Sequence, residues 1–403
     1  MFDLLIKGGR VIDPASDTDG YLDIGVTNGL ISAIGPNLED ENPGKVMQLK
    51  GELVIPGMID LHVHIIQGAA TPGVNEISGP PDLAGVSSGV TTVLDAGTVG
   101  AWNFGVHLHH VAGKSRTRLL SMLNIGKFGI PGQALRKPEI YTLEDVDQDA
   151  TIQLASDYKD LIQGVKLRLV GPAVEDLGYE LISLAKETAR EAKLPLMIHI
   201  GDLIGHSSNA QTLTRHVLKT LEEGDIITHI CTSVPGGVLD PNGKVLPELR
   251  EAEANGVIFD PAHGRSNFNF EVAKMISNQD FHPHTISTDL TLNGRKGPIH
   301  GLTETMSKFM AVGYSLEQVI KMVTIAPAKA VKMEKTIGSI KVGSDADISI
   351  LSHQKGKWKF EDAQGNPFTG EDALIPIHTI IKGDMVSLDW GPHPWGWAPA
   401  DAN

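Results

Sequence analysis

Cysteine is nearly absent from this chain, which contains only Cys231 among its 403 residues. A single thiol cannot form a disulfide within the chain, and this scarcity fits a reducing compartment. The sequence also lacks an uninterrupted apolar run long enough to span a membrane. It does not open with a basic segment followed by a long apolar stretch, as a secretory signal does. We therefore expect a soluble, cytoplasmic protein.

Positive charge is scarce as well. The chain has 34 Lys and Arg against 49 Asp and Glu, which gives a formal net charge of −15. This balance argues against nucleic acid or an anionic membrane as the main partner, although a local pocket can still be positive. A length of 403 residues allows one large domain with a small satellite, or two domains.

The two ends of the chain share a pattern of short β-rich segments separated by turns. Near the N-terminus, Asn28-Gly29 is a strong hairpin signal between two such segments. Strand patterns return over residues 348–351 and 375–385. We predict one small composite β-sandwich domain from residues 1–53 and 338–390. Residues 391–403 are too rich in Pro, Gly and Trp for a helix or a central strand, and we expect an extended tail.

The middle of the chain, residues 54–337, alternates short apolar strands with amphipathic helical stretches. The predicted strands cover residues 55–64, 90–96, 119–125, 165–170, 196–200, 226–230, 257–260 and 285–289. Eight strands that alternate with helices are typical of a (β/α)8 TIM barrel, an α/β fold. A doubly wound open sheet is the competing architecture, but no Gly-x-Gly-x-x-Gly turn follows the first strand.

Metal-competent side chains stand at the ends of several predicted strands. His62 and His64 lie at i and i+2, so both point to the same face of the first strand. The others at strand ends are Lys166, His199, His229 and Asp289. Each alone has an ordinary explanation, such as a core histidine or a helix cap. Because active sites of barrels gather at the carboxyl ends of the strands, the combination predicts a metal centre.

Lys166 is the unusual member of this set. An ammonium group would be repelled by metal cations and desolvated among them, so Lys166 cannot persist there as a cation. Its amine must be neutral, or must carry a group that makes it an anion.

The chain resembles the amidohydrolase superfamily and, more closely, its dihydroorotase-like deacetylase group. The matching segments lie in the expected order: Leu5-Ile6-Lys7-Gly8-Gly9-Arg10-Val11-Ile12-Asp13-Pro14, Pro56-Gly57-Met58-Ile59-Asp60-Leu61-His62-Val63-His64, Gly89-Val90-Thr91-Thr92-Val93-Leu94-Asp95-Ala96-Gly97, the strands of Lys166, His199 and His229, Ser287-Thr288-Asp289, and Gly343-Ser344-Asp345-Ala346-Asp347.

This resemblance implies a binuclear centre of two divalent metal ions, commonly zinc. His62, His64 and Asp289 would bind the more buried ion, and His199 and His229 the second. Lys166, carboxylated by carbon dioxide to a carbamate, would bridge the two ions. Asp289 would also act as the catalytic proton shuttle. On family grounds we further expect a homo-oligomer.

The sequence departs from dihydroorotases where they usually place an arginine, two residues past the second histidine. This chain has Ile66 there, which makes dihydroorotase activity doubtful. Arg168 shares a face with Lys166 and could clamp a substrate carboxylate, or it could pair with a structural acid. His263 and Asn124 are further candidates for substrate binding, whereas Cys231 is predicted to line the pocket rather than to act as a nucleophile.

These residues predict hydrolysis of an amide or ester bond in a small acyl compound that bears a carboxylate. The expected enzyme is a deacetylase of N-acyl amino acids or O-acyl hydroxy acids. A cyclic amidohydrolase, similar to dihydroorotase or hydantoinase, is the alternative. A non-catalytic scaffold is a third possibility, which the complete ligand set disfavours.

Overall fold

The computed structural model describes residues 1–68, 78–131, 139–203 and 208–388. Within these residues the chain forms a mixed α/β fold with two sheets, one parallel and one largely antiparallel. The predicted tail over residues 391–403 lies outside the described residues. None of the described helices has the length and apolar character needed to cross a membrane.

The largely antiparallel sheet contains strands from both ends of the chain. Its order is β15-β14-β13-β5-β1-β2-β3, with β4 paired to β1. The strands are β1 (Leu4–Asp13), β2 (Thr18–Thr27), β3 (Leu30–Gly35), β4 (Lys45–Gln48), β5 (Leu53–Pro56), β13 (Ile348–Glu361), β14 (Pro367–Ile381) and β15 (Asp384–Ser387). Asn28 and Gly29 both have positive φ, as the predicted tight turn between β2 and β3 requires.

The parallel sheet is built from seven consecutive strands, each paired with its neighbour in the sequence. They are β6 (Met58–Val63), β7 (Val90–Gly100), β8 (Arg118–Asn124), β9 (Ile162–Arg168), β10 (Leu196–His199), β11 (Ile226–Thr228) and β12 (Ile258–Asp260). These strands are almost entirely buried, as expected of a parallel sheet covered on both faces.

The helices follow or separate these strands. They are α1 (Pro81–Ala84), α2 (Gln148–Asp157), α3 (Pro172–Glu175), α4 (Gly178–Ala192), α5 (Ala210–Thr220), α6 (Pro247–Ala254), α7 (Phe270–Ser277), α8 (Leu302–Val312), α9 (Leu316–Val323) and α10 (Ile325–Ala330). In α4, Leu181, Ala185 and Ala189 repeat every fourth residue and form one buried face. Lys193 ends this helix in the left-handed conformation.

The parallel sheet curls, and residues 285–290 lie between its first strand, β6, and its last strand, β12, without forming a regular β-ladder. On one side the Asp289 amide donates to the His62 carbonyl at 2.7 Å, and the His64 amide donates to the Leu290 carbonyl at 3.0 Å. On the other side the Gly264 amide donates to the Thr288 carbonyl at 2.9 Å. The predicted strand over residues 285–289 is therefore hydrogen-bonded extended chain without a regular ladder.

The predicted first strand, residues 55–64, is divided at Gly57. Its first part is β5, which pairs with β1 and β13 in the antiparallel sheet, and its second part is β6, which pairs with β7. A Cβ atom at position 57 would lie only 2.3 Å from Thr91 Oγ1. Only glycine therefore fits where the chain passes from one sheet to the other.

Candidate metal centre

The carboxyl ends of the parallel strands bring four buried histidines together. His62 lies near the end of β6, His64 follows it, His199 ends β10, and His229 follows β11. The ring centroids of His199 and His229 are 4.2 Å apart, and those of His62 and His229 are 5.2 Å apart. Residues separated by up to 167 positions thus share one pocket at the edge predicted for the site.

Asp289 completes a ligand triad with the two histidines of the first strand. One ring nitrogen of His62, one of His64 and one carboxylate oxygen of Asp289 all lie within 4.8 Å of one another. His64 Nε2 is 3.2 Å from Asp289 Oδ1, and His62 Nε2 is 3.6 Å from it. This set of nitrogen and oxygen donors suits a divalent transition metal.

The backbone around Asp289 is adapted to this position. Asp289 has φ of 51°, in the left-handed region that non-glycine residues rarely occupy. A Cβ atom on Gly264 would lie 2.4 Å from Asp289 Oδ2, so the glycine leaves space for the carboxylate. Strained conformations of this kind cluster at functional sites.

Two histidines have a ring nitrogen that is fixed by a backbone carbonyl. His229 Nδ1 donates to the Ala262 carbonyl at 2.8 Å, and His199 Nε2 donates to the Gly201 carbonyl at 3.1 Å. Because a carbonyl only accepts, the other nitrogen of each neutral ring carries the lone pair. His229 Nε2 is buried and has no hydrogen-bond partner among the described residues. An orphaned acceptor at this position fits a metal ligand.

Burial keeps these imidazoles neutral, the form that binds metal. Desolvation, followed by the charge of Lys166, lowers the pKa of His62 well below its usual value. Desolvation lowers the pKa of His229 to about 3. The pKa of Asp289 is lowered although burial raises it, because His64 donates a hydrogen bond to the carboxylate. His62 and His229 are therefore neutral nitrogen donors at neutral pH, and Asp289 is an ionised carboxylate.

Lys166 lies inside this pocket and is fully buried. Its Nζ is 3.5 Å from His62 Nε2 and 3.1 Å from Met197 Sδ. Desolvation lowers the pKa of this amine to about 7, against the opposing charge of Asp289. The side chain runs past Gly97, where a Cβ atom would lie 2.8 Å from Lys166 Cβ.

The sequence profile of the amidohydrolase family matches residues 53–386, which include every one of these side chains. The chain belongs to the amidohydrolase family. It is accordingly a hydrolase.

The similarity of this chain to other proteins supports its assignment to the amidohydrolase family. A deacetylase of Enterococcus faecalis is 31% identical over 95% of this chain and 99% of its own length. The crystal structure of an adenine deaminase superposes with a TM-score of 0.85 at 30% identity, covering 96% of this chain and 100% of that one. The crystal structure of a dihydroorotase has the same TM-score at 26% identity, covering 97% and 100%.

The three predicted substrate-binding residues of this amidohydrolase are engaged by the protein itself. Arg168 forms a buried ion pair with Glu139. Asn124 donates to the Gly97 carbonyl at 3.2 Å and accepts from the Gly126 amide at 2.8 Å. Their substrate roles stay predictions.

His263, the third of them, also uses both ring nitrogens. Its Nδ1 donates to the Gly264 carbonyl at 2.9 Å, and its Nε2 accepts from Lys308 Nζ at 3.1 Å. Cys231 is buried among apolar side chains, and desolvation raises the pKa of its thiol. Neither residue is poised as a base or a nucleophile.

A small apolar recess adjoins His64. His64 lines it together with Ile65, Leu83, Ala84 and Leu292. Its position beside a predicted ligand makes it available to an apolar part of a substrate.

Proposed function

We propose that this amidohydrolase is a metal-dependent deacetylase of a small acyl compound that bears a carboxylate. The convergence of neutral imidazoles, a neutralised lysine and one carboxylate at the strand ends carries this proposal. The Enterococcus faecalis relative is named a deacetylase, which supports acyl transfer to water as the reaction.

The donor set divides into two metal positions. His62, His64 and Asp289 would hold one divalent ion, and His199 and His229 would hold the second. Zinc is the ion that these nitrogen and oxygen ligands suit best. When bound, such a pair polarises the substrate carbonyl and lowers the pKa of a water molecule.

Lys166 would stand between the two positions as a carbamate. A neutral amine adds to carbon dioxide, forming an N–C bond and releasing a proton to solvent, and the product is an anion on a long side chain. Burial supplies the neutral amine, and the 3.5 Å approach to His62 Nε2 places it beside the ligands.

Asp289 would move the proton of the reaction. Its carboxylate accepts the proton of the attacking water and transfers it to the leaving nitrogen or oxygen when the acyl bond breaks. The lowered pKa keeps this carboxylate ionised before attack. Gly264 leaves room for Oδ2, since a Cβ atom there would lie only 2.4 Å from this oxygen.

A cyclic amidohydrolase is the second candidate, because the dihydroorotase structure superposes so closely. The position where dihydroorotases usually carry an arginine is occupied by Ile66, which is fully buried and packs with Val99 and Phe104. An apolar side chain there provides no partner for the substrate carboxylate, which favours the deacetylase.

The fold proposed for this function is a complete (β/α)8 barrel. Residues 285–290 would take the place of the eighth strand, since they are hydrogen-bonded to both flanking strands. The composite domain of residues 1–53 and 338–390 would be its satellite. The homo-oligomer and the cytoplasmic location stay predictions.

The experiment combines metal analysis with a substrate panel. Protein purified without chelators should contain about two ions per chain and hydrolyse N-acetyl amino acids or O-acetyl hydroxy acids faster than dihydroorotate or hydantoins. Lys166→Ala should lower the metal content, and carbon-13 bicarbonate should give a carbamate signal only in the wild type. Asp289→Asn should lower kcat about 100-fold or more. Absence of metal, or turnover of the ring substrates alone, would refute the deacetylase.

A further inference from the structure

We propose that Thr98 and Thr228 are positioning residues that fix the ring tautomers of His64 and His62 so that both histidines present Nε2 to a metal ion. Each threonine would act as a relay between one histidine and one buried aspartate. The inference rests on the proposed metal centre for its purpose, whereas its hydrogen bonds are observed directly.

The first relay runs from His64 to Asp95. His64 Nδ1 lies 2.9 Å from Thr98 Oγ1, and Thr98 Oγ1 lies 2.7 Å from Asp95 Oδ2. Asp95 also accepts from the Thr98 amide at 2.8 Å and from the Ile65 amide at 2.9 Å. This carboxylate is fully buried, and it accepts all three of these hydrogen bonds.

The second relay has the same chemistry on the opposite side of the pocket. His62 Nδ1 lies 3.2 Å from Thr228 Oγ1, and Thr228 Oγ1 donates to Asp260 Oδ2 at 2.9 Å. Asp260 is fully buried and also receives the hydroxyls of Thr285 and Ser287, each within 2.8 Å. The direct distance from His62 Nδ1 to Asp260 Oδ2 is 3.9 Å, too long for a hydrogen bond, so the threonine is the link.

The direction of each relay follows from counting protons. A threonine hydroxyl has one proton, and a carboxylate only accepts, so that proton lies on the bond to the aspartate. The hydroxyl oxygen must then accept, and its partner is the Nδ1–H of the histidine. Each relay therefore engages Nδ1 and leaves Nε2 of both rings facing Asp289 Oδ1, on the side where a metal ion would bind.

The pattern across the four histidines is distinctive. The relays place the proton of His62 and His64 on Nδ1, and the Ala262 carbonyl does the same for His229. The Gly201 carbonyl places the proton of His199 on Nε2 instead. Three rings of one tautomer and one of the other form a signature that no disordered or solvent-exposed set of histidines would give.

The first test reads the tautomers directly in metal-free protein. Long-range proton–nitrogen spectra of histidine-labelled protein should show Nδ1 protonated in His62, His64 and His229 and Nε2 protonated in His199. Thr98→Val removes one hydroxyl at nearly constant volume, and we expect it to change the pattern of His64 alone. An unprotonated Nδ1 on His64 in the wild type, or an unchanged His64 in the variant, would overturn the proposal.

The second test measures metal affinity by competition with a chromogenic zinc chelator. Thr98→Val and Thr228→Val should each weaken zinc binding about 10- to 100-fold, as loss of such an orienting partner does. Thr98→Ser keeps the hydroxyl and should restore the affinity. Thr92→Val is the matched control, because Thr92 is a buried residue of the same strand whose hydroxyl has no partner among the described residues.

The two tests distinguish failure of this proposal from failure of the proposed function. Zinc affinity of Thr98→Val equal to that of the wild type and of Thr92→Val would refute the relay while leaving the metal centre intact. A wild type that binds no metal would refute the proposed function, and the tautomer spectra would still decide the relay.

Discussion

At the scale of single residues, burial sets the charge state of the groups in the pocket, and pH dependence follows from it. Burial lowers the pKa of His229 to about 3, whereas an unfolded histidine titrates near 6.5. Below pH 6.5 the unfolded chain therefore gains a proton that the folded protein does not bind, and stability falls as the pH falls toward 3. Well above pH 6.5 both states are neutral, and the lowered pKa no longer reduces stability.

The contribution of His229 to the pH dependence of stability can be isolated in metal-free protein. We expect the wild type to lose up to about 1.4 kcal/mol of unfolding free energy per pH unit more than His229→Asn between pH 6.5 and 5. Asp60, whose pKa burial raises to about 7, changes both proteins alike. Urea denaturation at several pH values measures the effect, and parallel curves for the two proteins would contradict it.

Arg168 carries the second prediction at this scale. Its ion pair with Glu139 is the structural alternative to a substrate clamp, yet a guanidinium has five donors and can hold both groups. If it clamps the substrate, Arg168→Ala should raise KM for carboxylate substrates about tenfold or more, the loss of a charge-assisted hydrogen bond. KM for uncharged esters should change little. Arg190→Ala removes an exposed, ion-paired arginine and serves as the control; equal effects on both substrate types would leave Arg168 a purely structural role.

At the scale of elements, Gly57 joins the two sheets. A methyl group there would clash with Thr91 at 2.3 Å, and both residues are buried. Overpacking of this kind costs about 1–3 kcal/mol, so Gly57→Ala should lower the melting temperature measurably. Gly20→Ala is the control, because a Cβ atom at Gly20 meets no atom within 4 Å. Equal melting temperatures for the two variants would show that the junction tolerates a side chain.

The same elements show what the sequence could predict. Short apolar strands that alternate with helical stretches located the parallel sheet, and strand ends then indicated His62, His64, His199 and His229, which the structure brings together. The break at Gly57 was missed because β-branched residues continue on both sides of it. The sequence pattern predicts a regular strand over residues 285–289, whereas the backbone of Asp289 adopts a left-handed conformation.

The side chains that contact the site residues could not be identified from the sequence. Thr98 lies 34 residues from His64, and Thr228 lies 166 residues from His62. Threonine is common in strands for its shape alone, so only the fold distinguishes these two from Thr92, which makes no such contact among the described residues. Glu139 beside Arg168 was likewise invisible before the structure.

At the scale of the whole molecule, the proposed ligands come from β6, β9 and β10, from the residues that follow β6 and β11, and from the segment that contains Asp289. A metal ion that binds only the folded chain would therefore resist its global unfolding, by about 2.7 kcal/mol when free metal is at 100 times Kd. Removal of metal with a strong chelator should lower the melting temperature by several degrees, and returning zinc should restore it. In His62→Ala the zinc-dependent shift should be small, because the buried position has lost a ligand. An identical melting temperature for loaded and stripped wild type would mean that the four histidines and Asp289 are held in place by the protein alone, without help from metal.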